Sequence, residues 1–351
     1  MAEAEKTRTK KGNATWITTV VILAALIVGA IIGVERSNAA KPVQTSYQAM
    51  GTVISSTLYG KQASKTTDEV QKEIVRLENE DISWRIKGSD VWKINHDGSA
   101  TVSDATAKAI SESLEVAAAS DGNYDITIGK VTTLWNIGTD DARVPSSSEI
   151  QSALSSVDYR KVHVDGNKVT IGEGQFLDLG GIGKGYACDM VKPILEQNKI
   201  KGGVVAVGGS ILLYGTNPNK EGGLWTVGVQ DPARTHNDTC MTFTSGPCCV
   251  STSGDYEKVL EQDGKRYHHI IDPRTGFPAE SDLTSVTVIA DSGALTDELA
   301  TCCYLYGYNS KSLDLLKKFH AEGIFIKKDG TVYATSGVRD KITFTNEDYH
   351  F

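Results

Sequence analysis

The sequence predicts an α+β fold, with helices and mainly antiparallel strands in one folded unit. Strand-like runs and helical patterns do not alternate one for one, which argues against a doubly wound parallel sheet. Between residues 161 and 251, short strand-like runs are separated by turn residues, as is typical of antiparallel structure. No repeat, low-complexity segment or second linker interrupts the chain after residue 46. We therefore predict a single domain over residues 47–351.

Local patterns predict the elements in chain order. Helices are predicted at residues 67–79, 103–120, 147–157, 186–197, 293–306 and 310–319. Strands are predicted at residues 47–59, 162–166, 168–172, 175–179, 203–214, 224–229, 241–244, 248–251, 322–328 and 331–335. Gly51 interrupts the first strand, and Pro193 predicts a kink or an early helix end. Thr67 or Asp68, and later Ser103 or Asp104, are candidate helix caps.

The N-terminal region predicts a membrane anchor. Residues 16–34 carry no charge, and nineteen residues are long enough to cross a bilayer as a helix. Four basic residues lie between positions 6 and 11, so the positive-inside rule places residues 1–15 in the cytoplasm and the domain outside it. Residues 35–46 are predicted to be a linker. A cleaved signal peptide is the alternative, because Ser37, Asn38 and Ala39 supply small residues after the apolar run.

The charge and the cysteines exclude two classes of function. With a net charge of −8 and no basic stripe, the chain gives no reason to expect a nucleic-acid partner. The six cysteines include no C-x-x-C pair and no spacing that suits zinc. Outside the cytoplasm some could pair as disulfides, or several could be buried thiols, and the spacing does not decide between these.

The first candidate site is the run LDLGGIGKGYACD at residues 177–189. The carboxylate of Asp178 is followed by Gly180, Gly181, Gly183 and Gly185 around Lys184. Unhindered backbone N–H groups beside a cation could face a phosphate. The alternative is an ordinary turn between two elements.

The second candidate site is the run RYHHIIDPRTGFP at residues 266–278. His268 and His269 precede a turn that contains Asp272 and Arg274. An imidazole can take a proton near neutral pH, and a guanidinium can neutralise charge on phosphate oxygens. The pattern therefore suits phosphoryl chemistry, although a plain hairpin turn with an exposed His and a surface Arg would look similar.

The third candidate site is a pair of oxygen donors within the predicted helix at residues 293–306. Asp297 and Thr301 are four residues apart and share one helix face. A carboxylate and a hydroxyl favour Mg²⁺ or Ca²⁺ as the bound cation. The alternative is a solvated acid beside a threonine that bonds back to its own helix.

Seven motifs together carry a resemblance to one family. They are AMGT (49–52), YDITIG (124–129), LDLGGIGKGYACD (177–189), VGGS (207–210), STSGDY (251–256), HHIIDPRTG (268–276) and TDELAT (296–301). The sequence resembles the ApbE-type FAD:protein FMN transferases over nearly all of the region after the apolar segment. This resemblance implies a T-fold-like mixed α/β catalytic domain. It also implies an enzyme that takes FAD as substrate, transfers FMN to a Thr or Ser hydroxyl of another protein and releases AMP.

The resemblance also implies roles for individual residues. Asp297, Thr301 and the backbone carbonyl of Gly183 would bind Mg²⁺, with Ca²⁺ as an alternative. His269 would be the catalytic base, and Asp272 and Arg274 would support it or the phosphates. The positions implied for the flavin nucleotide are Met50, Asp125, Thr127, Asp178, Gly180, Gly181, Lys184 and Thr252. The chain departs from the family pattern at Gly183, where alanine is usual, and at Ser210, where an acid or amide is common.

The expected partner is an acceptor flavoprotein with an exposed Thr or Ser, such as an electron-transfer subunit or a surface reductase. Combined with the apolar segment, this predicts a single-pass protein of the bacterial cell membrane with its catalytic domain on the extracytoplasmic side. Two other functions fit the same motifs. One is a Mg²⁺-dependent pyrophosphatase that hydrolyses FAD to FMN and AMP, and the other is a non-enzymatic FAD-binding protein.

Overall fold

The computed structural model describes residues 41–234 and 238–351. The apolar segment at residues 16–34 lies outside the described residues, so its predicted role as an anchor stays a prediction. None of the helices within residues 41–234 and 238–351 is both long and apolar enough to cross a membrane.

The described strands are mostly three to eight residues long. They are β1 (Val43–Ala49), β2 (Thr52–Tyr59), β3 (Ser99–Thr101), β4 (His163–Asp165), β5 (Lys168–Thr170), β6 (Gly202–Val207), β7 (Ser210–Gly215), β8 (Trp225–Gln230), β9 (Thr239–Ser245), β10 (Cys248–Gly254), β11 (Val259–Gln262), β12 (Lys265–His268), β13 (Leu283–Ala290), β14 (Glu322–Lys327), β15 (Val332–Ala334) and β16 (Ile342–Phe344). The described α-helices are α1 (Ala63–Arg76), α2 (Asp90–Asp97), α3 (Asp104–Ala119), α4 (Gly129–Trp135), α5 (Ser147–Leu154), α6 (Gly183–Gln197), α7 (Gly293–Tyr306), α8 (Ser310–Lys318) and α9 (Ser336–Arg339). A π-helix, Leu77–Ile82, extends α1.

One antiparallel sheet in the order β1-β2-β6-β7-β10-β13-β14-β15 organises the described chain. Adjacent residues of its strands enter different cores, because side chains alternate across a strand. Cys249 of β10 lies in the core on the helical side, whereas Val250 packs with the smaller sheet β16-β9-β8. In β14, Phe325 likewise lies in the core on the helical side, and Ile324 packs with the smaller sheet. Since helices cover one face and a small sheet the other, the predicted α+β fold class is confirmed.

Helices α6 and α7 cross at two glycines on the helical side of the sheet. A Cβ on Gly185 would lie 1.9 Å from the carbonyl oxygen of Gly293. The carboxylate of Asp189 accepts hydrogen bonds from the backbone N–H groups of Gly293 and Ala294, at 2.8 and 2.9 Å. In return, the backbone N–H of Gly185 donates to Asp297 Oδ2 at 3.0 Å. Each helix thus satisfies backbone donors at the start of the other.

Several predicted helices are confirmed, and their caps explain why. Ser103 accepts from the backbone N–H of Thr106 to begin α3. Ser146 and Glu149 form a reciprocal capping box at α5. Helix α7 has the predicted bounds, 293–306. Helix caps depend on residues that are close together in the sequence, so these helices could be predicted without the tertiary structure.

Other predicted elements are corrected. The strand predicted at residues 47–59 is the hairpin β1-β2, which turns at Met50 and Gly51, both at positive φ (53° and 66°). The strand predicted at 203–214 is likewise the hairpin β6-β7, which turns at Gly208 with φ 58°. Residues 175–179 form no strand, since Phe176 makes only an isolated bridge to Ile128. A run of apolar residues alone does not show where the chain reverses.

Helix boundaries and the linker also differ from prediction. Helix α1 begins at Ala63, and Thr67 does not cap it, because its hydroxyl donates to the Ser64 carbonyl. Helix α6 continues through Pro193. Strand β1 begins at Val43, inside the segment predicted as a linker. All six cysteines, which lie in the described ranges, are free thiols in this structure.

The crossing of α6 and α7 predicts a steep cost for one added methyl group. Gly185→Ala places a Cβ against backbone that cannot move aside, so we expect the free energy of unfolding to fall by about 3 kcal/mol. Urea denaturation followed by circular dichroism measures this. Gly246→Ala is the matched control, because no atom lies within 4 Å of its Cβ position. Equal stability of the two variants would contradict the close crossing.

Candidate active site

A cavity of about 270 Å³ lies at the start of α6, beside α7, β10 and the residues after β12. Most residues predicted from the sequence line it. They are Met50, Asp125, Asp178, Gly180, Gly181, Lys184, Thr252, His269, Asp297 and Thr301. Four predicted residues do not line it, namely Thr127, Gly183, Asp272 and Arg274. The structure thus brings together residues that are far apart in the chain.

Asp297 is the buried carboxylate of the cavity. Only 3% of its surface is exposed. Its Oδ2 accepts the backbone N–H of Gly185, and its Oδ1 lies 3.3 Å from the hydroxyl of Ser210 and 3.5 Å from Lys184 Nζ. The Asp297 carboxylate raises the pKa of Lys184, which keeps this partly buried ammonium charged. Ser210, whose role the family pattern left in doubt, therefore helps to hold Asp297.

Thr301 lies one helical turn after Asp297 and also lines the cavity. Its hydroxyl donates to the Asp297 carbonyl at 3.3 Å and lies 3.3 Å from the Ser253 hydroxyl. The sequence analysis named such a bond to its own helix as the alternative to a metal-binding role. The hydroxyl donates its proton in this bond, so its oxygen can still bind a cation.

The donor set fits a hard cation better than a transition metal. Within residues 41–234 and 238–351, no group of three or more His, Cys, Asp or Glu residues could hold a metal ion. Asp297 and Thr301 offer oxygen atoms at one side of the cavity, and such sites suit Mg²⁺ when substrate phosphates and water complete the coordination. Gly183 is the first residue of α6, two positions before the N–H that bonds to Asp297. Asp297 and Thr301 therefore fit the predicted ion, whereas Gly183, the third predicted ligand, does not line the cavity.

His269 supplies a neutral imidazole to the cavity. Its Nδ1 is shielded from solvent and has no hydrogen-bond partner among the described residues. Burial first, and then the charges of Lys184 and Lys258, lower the pKa of His269 from 6.5 to about 3. The ring is therefore unprotonated at neutral pH and able to accept a proton.

His268 and the turn after it form hydrogen bonds and an ion pair within the protein, unlike His269. His268 Nε2 donates to the Ala279 carbonyl at 2.9 Å, and its Nδ1 accepts the Ile270 N–H at 3.2 Å. Arg274 makes a two-pronged ion pair with Asp272, at 2.9 and 2.7 Å. Their predicted catalytic roles stay predictions. The geometry supports a positioning role, because the paired side chains hold the turn next to His269 outside the cavity lining.

The glycine-rich turn does not offer the row of free N–H groups expected from its sequence. The N–H of Gly180 donates to Asp178 Oδ1, and the N–H groups of Ile182 and Gly183 donate to the Leu179 carbonyl. The N–H of Gly185 is bonded to Asp297. This expectation is corrected, because most of these donors are used within the protein to shape the turn. Asp178 also accepts from Thr132, so it holds the turn against α4.

Thr127 and Asp125 show how a loop is held at the cavity. Both the N–H and the hydroxyl of Thr127 donate to Asp125 Oδ1, at 2.8 and 2.6 Å. The other oxygen, Oδ2, accepts the N–H of Tyr159 at 2.9 Å. Thr127 is fully buried and supports the loop, whereas Asp125 lines the cavity.

Sequence reasoning missed two cationic residues of the cavity. Lys258 and Arg85 both line it. Burial and the nearby Lys184 charge lower the pKa of Lys258. Lys258 lies alone between β10 and β11, and Arg85 lies alone after Trp84. Neither belongs to a spacing pattern that would mark it as a site residue. Only the folded chain brings Lys258 and Lys184 to one cavity.

Comparisons with known proteins agree on one family. A model of the ApbE family matches residues 50–325. A protein of Treponema pallidum named FAD:protein FMN transferase is 37% identical over 242 residues, covering 64% of this chain and 66% of its own length. One of the same name from Salmonella typhimurium is 30% identical over 329 residues, covering 89% of this chain and 92% of its own.

Solved structures show the same mixed α/β fold. The crystal structure of an ApbE protein from Thermotoga maritima has a TM-score of 0.78 and 29% identity, covering 84% of this chain and 97% of its own. The flavin transferase ApbE from Vibrio cholerae has a TM-score of 0.74 and 26% identity, covering 85% of this chain and 98% of its own.

The lowered pKa of His269 predicts a specific pH dependence of stability. Because the folded-state pKa lies below the ordinary value of 6.5, the unfolded chain binds this proton first as the pH falls. This group should therefore lower the free energy of unfolding by about 1.4 kcal/mol per pH unit below about pH 6.5. Urea denaturation from pH 7 to 4 should show a shallower decline for His269→Gln. The exposed His163→Gln serves as control, and equal slopes for His269→Gln and wild type would refute the buried neutral state.

Proposed function

Since the chain belongs to the ApbE family, we propose that it is an FAD:protein FMN transferase, which moves FMN from FAD to a threonine or serine hydroxyl of another protein. In this reaction the hydroxyl oxygen forms a bond to the phosphorus of the FMN half. The bond from that phosphorus to the bridging oxygen breaks, and AMP leaves with that oxygen. The hydroxyl proton goes to the imidazole of His269.

One observation carries this proposal. A neutral His269, whose Nδ1 has no hydrogen-bond partner among the described residues, lies in the same cavity as two lysines and two oxygen donors that suit Mg²⁺. Storage of a flavin needs no proton acceptor. The arrangement fits transfer of a phosphoryl group, in which positioning and electrostatic stabilisation supply most of the catalysis.

Lys184 and Lys258 would bind the diphosphate of FAD. Their charges face the cavity, and both contribute to the low pKa of His269. A bound diphosphate would compensate these two charges and so remove the part of the pKa shift that they cause, while the part caused by burial would remain. The imidazole becomes a better base as its pKa rises toward the working pH.

Asp297, Thr301 and the carbonyl of Gly183 would hold Mg²⁺, with Ca²⁺ as the alternative. When bound, the ion would neutralise charge on the diphosphate and so ease the approach of a hydroxyl. Asp297 is well placed for this, because the Gly185 N–H and the Ser210 hydroxyl already orient its carboxylate.

We further propose an exported or membrane flavoprotein as acceptor and a membrane-anchored position for the enzyme. The support is the uncharged segment at residues 16–34 with basic residues before it. Protease treatment of intact cells or spheroplasts tests the orientation. Degradation of the domain only after lysis would contradict it.

The metal ligand can be tested directly. The full-length protein would be incubated with FAD, Mg²⁺ and an exported flavoprotein, and the intact mass of the acceptor measured. We expect a gain of one FMN that EDTA abolishes, and Asp297→Asn should lower the rate by about 10²- to 10³-fold.

Asp314→Asn, on the exposed side of α8, is the matched control and should transfer normally. Free FMN and AMP with an unmodified acceptor would favour the pyrophosphatase. Bound and intact FAD would favour the non-enzymatic alternative. Full activity in the presence of EDTA would contradict the metal site.

Lys258 should contribute mainly to FAD affinity. Lys258→Met removes one cation from the cavity, so we expect the dissociation constant for FAD to rise about tenfold. Wild-type affinity should also fall more steeply with added salt than that of the variant. Flavin fluorescence titration measures both, with the exposed Lys72→Met as control. Unchanged affinity would place the diphosphate away from Lys258.

A further inference from the structure

Two surface depressions continue the cavity along α4. The first, of about 660 Å³, shares Arg85 and Asn136 with the cavity. The second, of about 510 Å³, shares Thr133 and Phe176 with the first. Together they form one path, here called the α4 groove, that leads from the protein surface to the candidate active site.

The floor of the α4 groove is the exposed face of a short helix. Lys130, Thr133 and Asn136 follow one another at intervals of three residues and therefore lie on one side. Residues of α2 and the segment around Trp84 line one part of the groove, and residues of α5 line the other. The groove is therefore an open depression between α4 and its neighbours rather than a closed pocket.

Aromatic side chains line the part of the groove next to the cavity. Trp84 packs edge-on against Phe176, with ring centroids 5.4 Å apart, and the Arg85 guanidinium lies 3.9 Å from the Trp84 ring. Trp92 stacks on His96 at 4.8 Å. These partly exposed rings offer apolar surface to a ligand.

Hydrogen bonds hold this wall in place. The side chain of Asn95 on α2 donates to the Leu177 carbonyl at 2.9 Å and accepts the Leu177 N–H at 2.6 Å. Leu177 immediately precedes Asp178 of the cavity. The wall of the groove is therefore bonded directly to the segment that continues into the candidate active site.

Charges of both signs line the groove. Arg85 and Lys130 lie there together with Asp141 and Glu149. Such a mixed surface with aromatic rings is suited to a polypeptide, which can offer charges of both signs and apolar side chains.

We propose that the α4 groove binds an extended segment of the acceptor polypeptide, whose threonine or serine enters the cavity at the Arg85 and Asn136 end. The inference rests on the proposed transferase function. The groove continues past Thr133 to residues of α5, so it offers contacts on both sides of that threonine. Apolar side chains near the modified hydroxyl would contact Trp84, Trp92 and Phe176.

A pool of short synthetic peptides tests the proposal, each with one central threonine and randomised neighbours. The full-length enzyme would modify them with FAD and Mg²⁺, and mass spectrometry would identify the products. We expect enrichment of apolar and aromatic residues on one side of the threonine. Thr133→Arg, and separately Ser152→Arg at the α5 end, should abolish this enrichment and raise the peptide KM about tenfold.

Ser111→Arg is the matched control, because Ser111 is also an exposed helical hydroxyl that bonds to the carbonyl four residues before it. It should keep the enrichment. Fluorescence titration should show FAD affinity within about twofold of wild type for the groove variants. Weaker FAD binding in step with the KM would place a ring of the dinucleotide in the groove and overturn the proposal.

Two further outcomes distinguish failure of the groove proposal from failure of the proposed transferase function. Modification of a folded acceptor but of no peptide, or enrichment that survives Thr133→Arg, overturns the groove while the transferase stands. Cleavage of FAD with no peptide and no protein modified overturns the transferase, and the groove proposal falls with it.

Discussion

The crossing of α6 and α7 is the contact on which the candidate active site depends. Two glycines let the helix backbones touch, and each helix receives a carboxylate from the other. Asp189 of α6 binds the first N–H groups of α7, while Asp297 of α7 binds the N–H of Gly185. Both carboxylates accept hydrogen bonds from donors that the start of a helix leaves unpaired. The hydrogen bonds that stabilise the crossing therefore also hold Asp297 in its place.

Buried charge explains the chemistry that this arrangement allows. Asp297 is almost fully shielded from water, so it needs the partners that Lys184, Ser210 and Gly185 supply. Burial, and after it the positive charges of Lys184 and Lys258, lowers the pKa of His269. The two lysines can therefore attract a diphosphate to a cavity in which the imidazole is unprotonated.

The residues of the site were predictable where chemistry follows from spacing. Asp297 and Thr301 share a helix face by position alone, and they do line the cavity. The glycines beside Lys184 were misjudged in detail, because their N–H groups bond within the turn. The ion pair between Arg274 and Asp272 was not predicted either, and the role of these two residues stays a prediction. Hydrogen-bond partners of this kind are decided by neighbours in space and leave no pattern in sequence.

Local sequence patterns were enough to predict many of the elements, the α+β class and ten of the residues that line the cavity. Helices α3, α5 and α7 could be read because their caps and apolar spacing lie within a few residues. The chain reversals at Met50 and Gly208, the order of the strands, and the meeting of Lys258 with Lys184 became visible only in the folded chain. The physical reason is that periodicity and capping act between near neighbours, whereas strand pairing and charge compensation join residues that are distant in the chain.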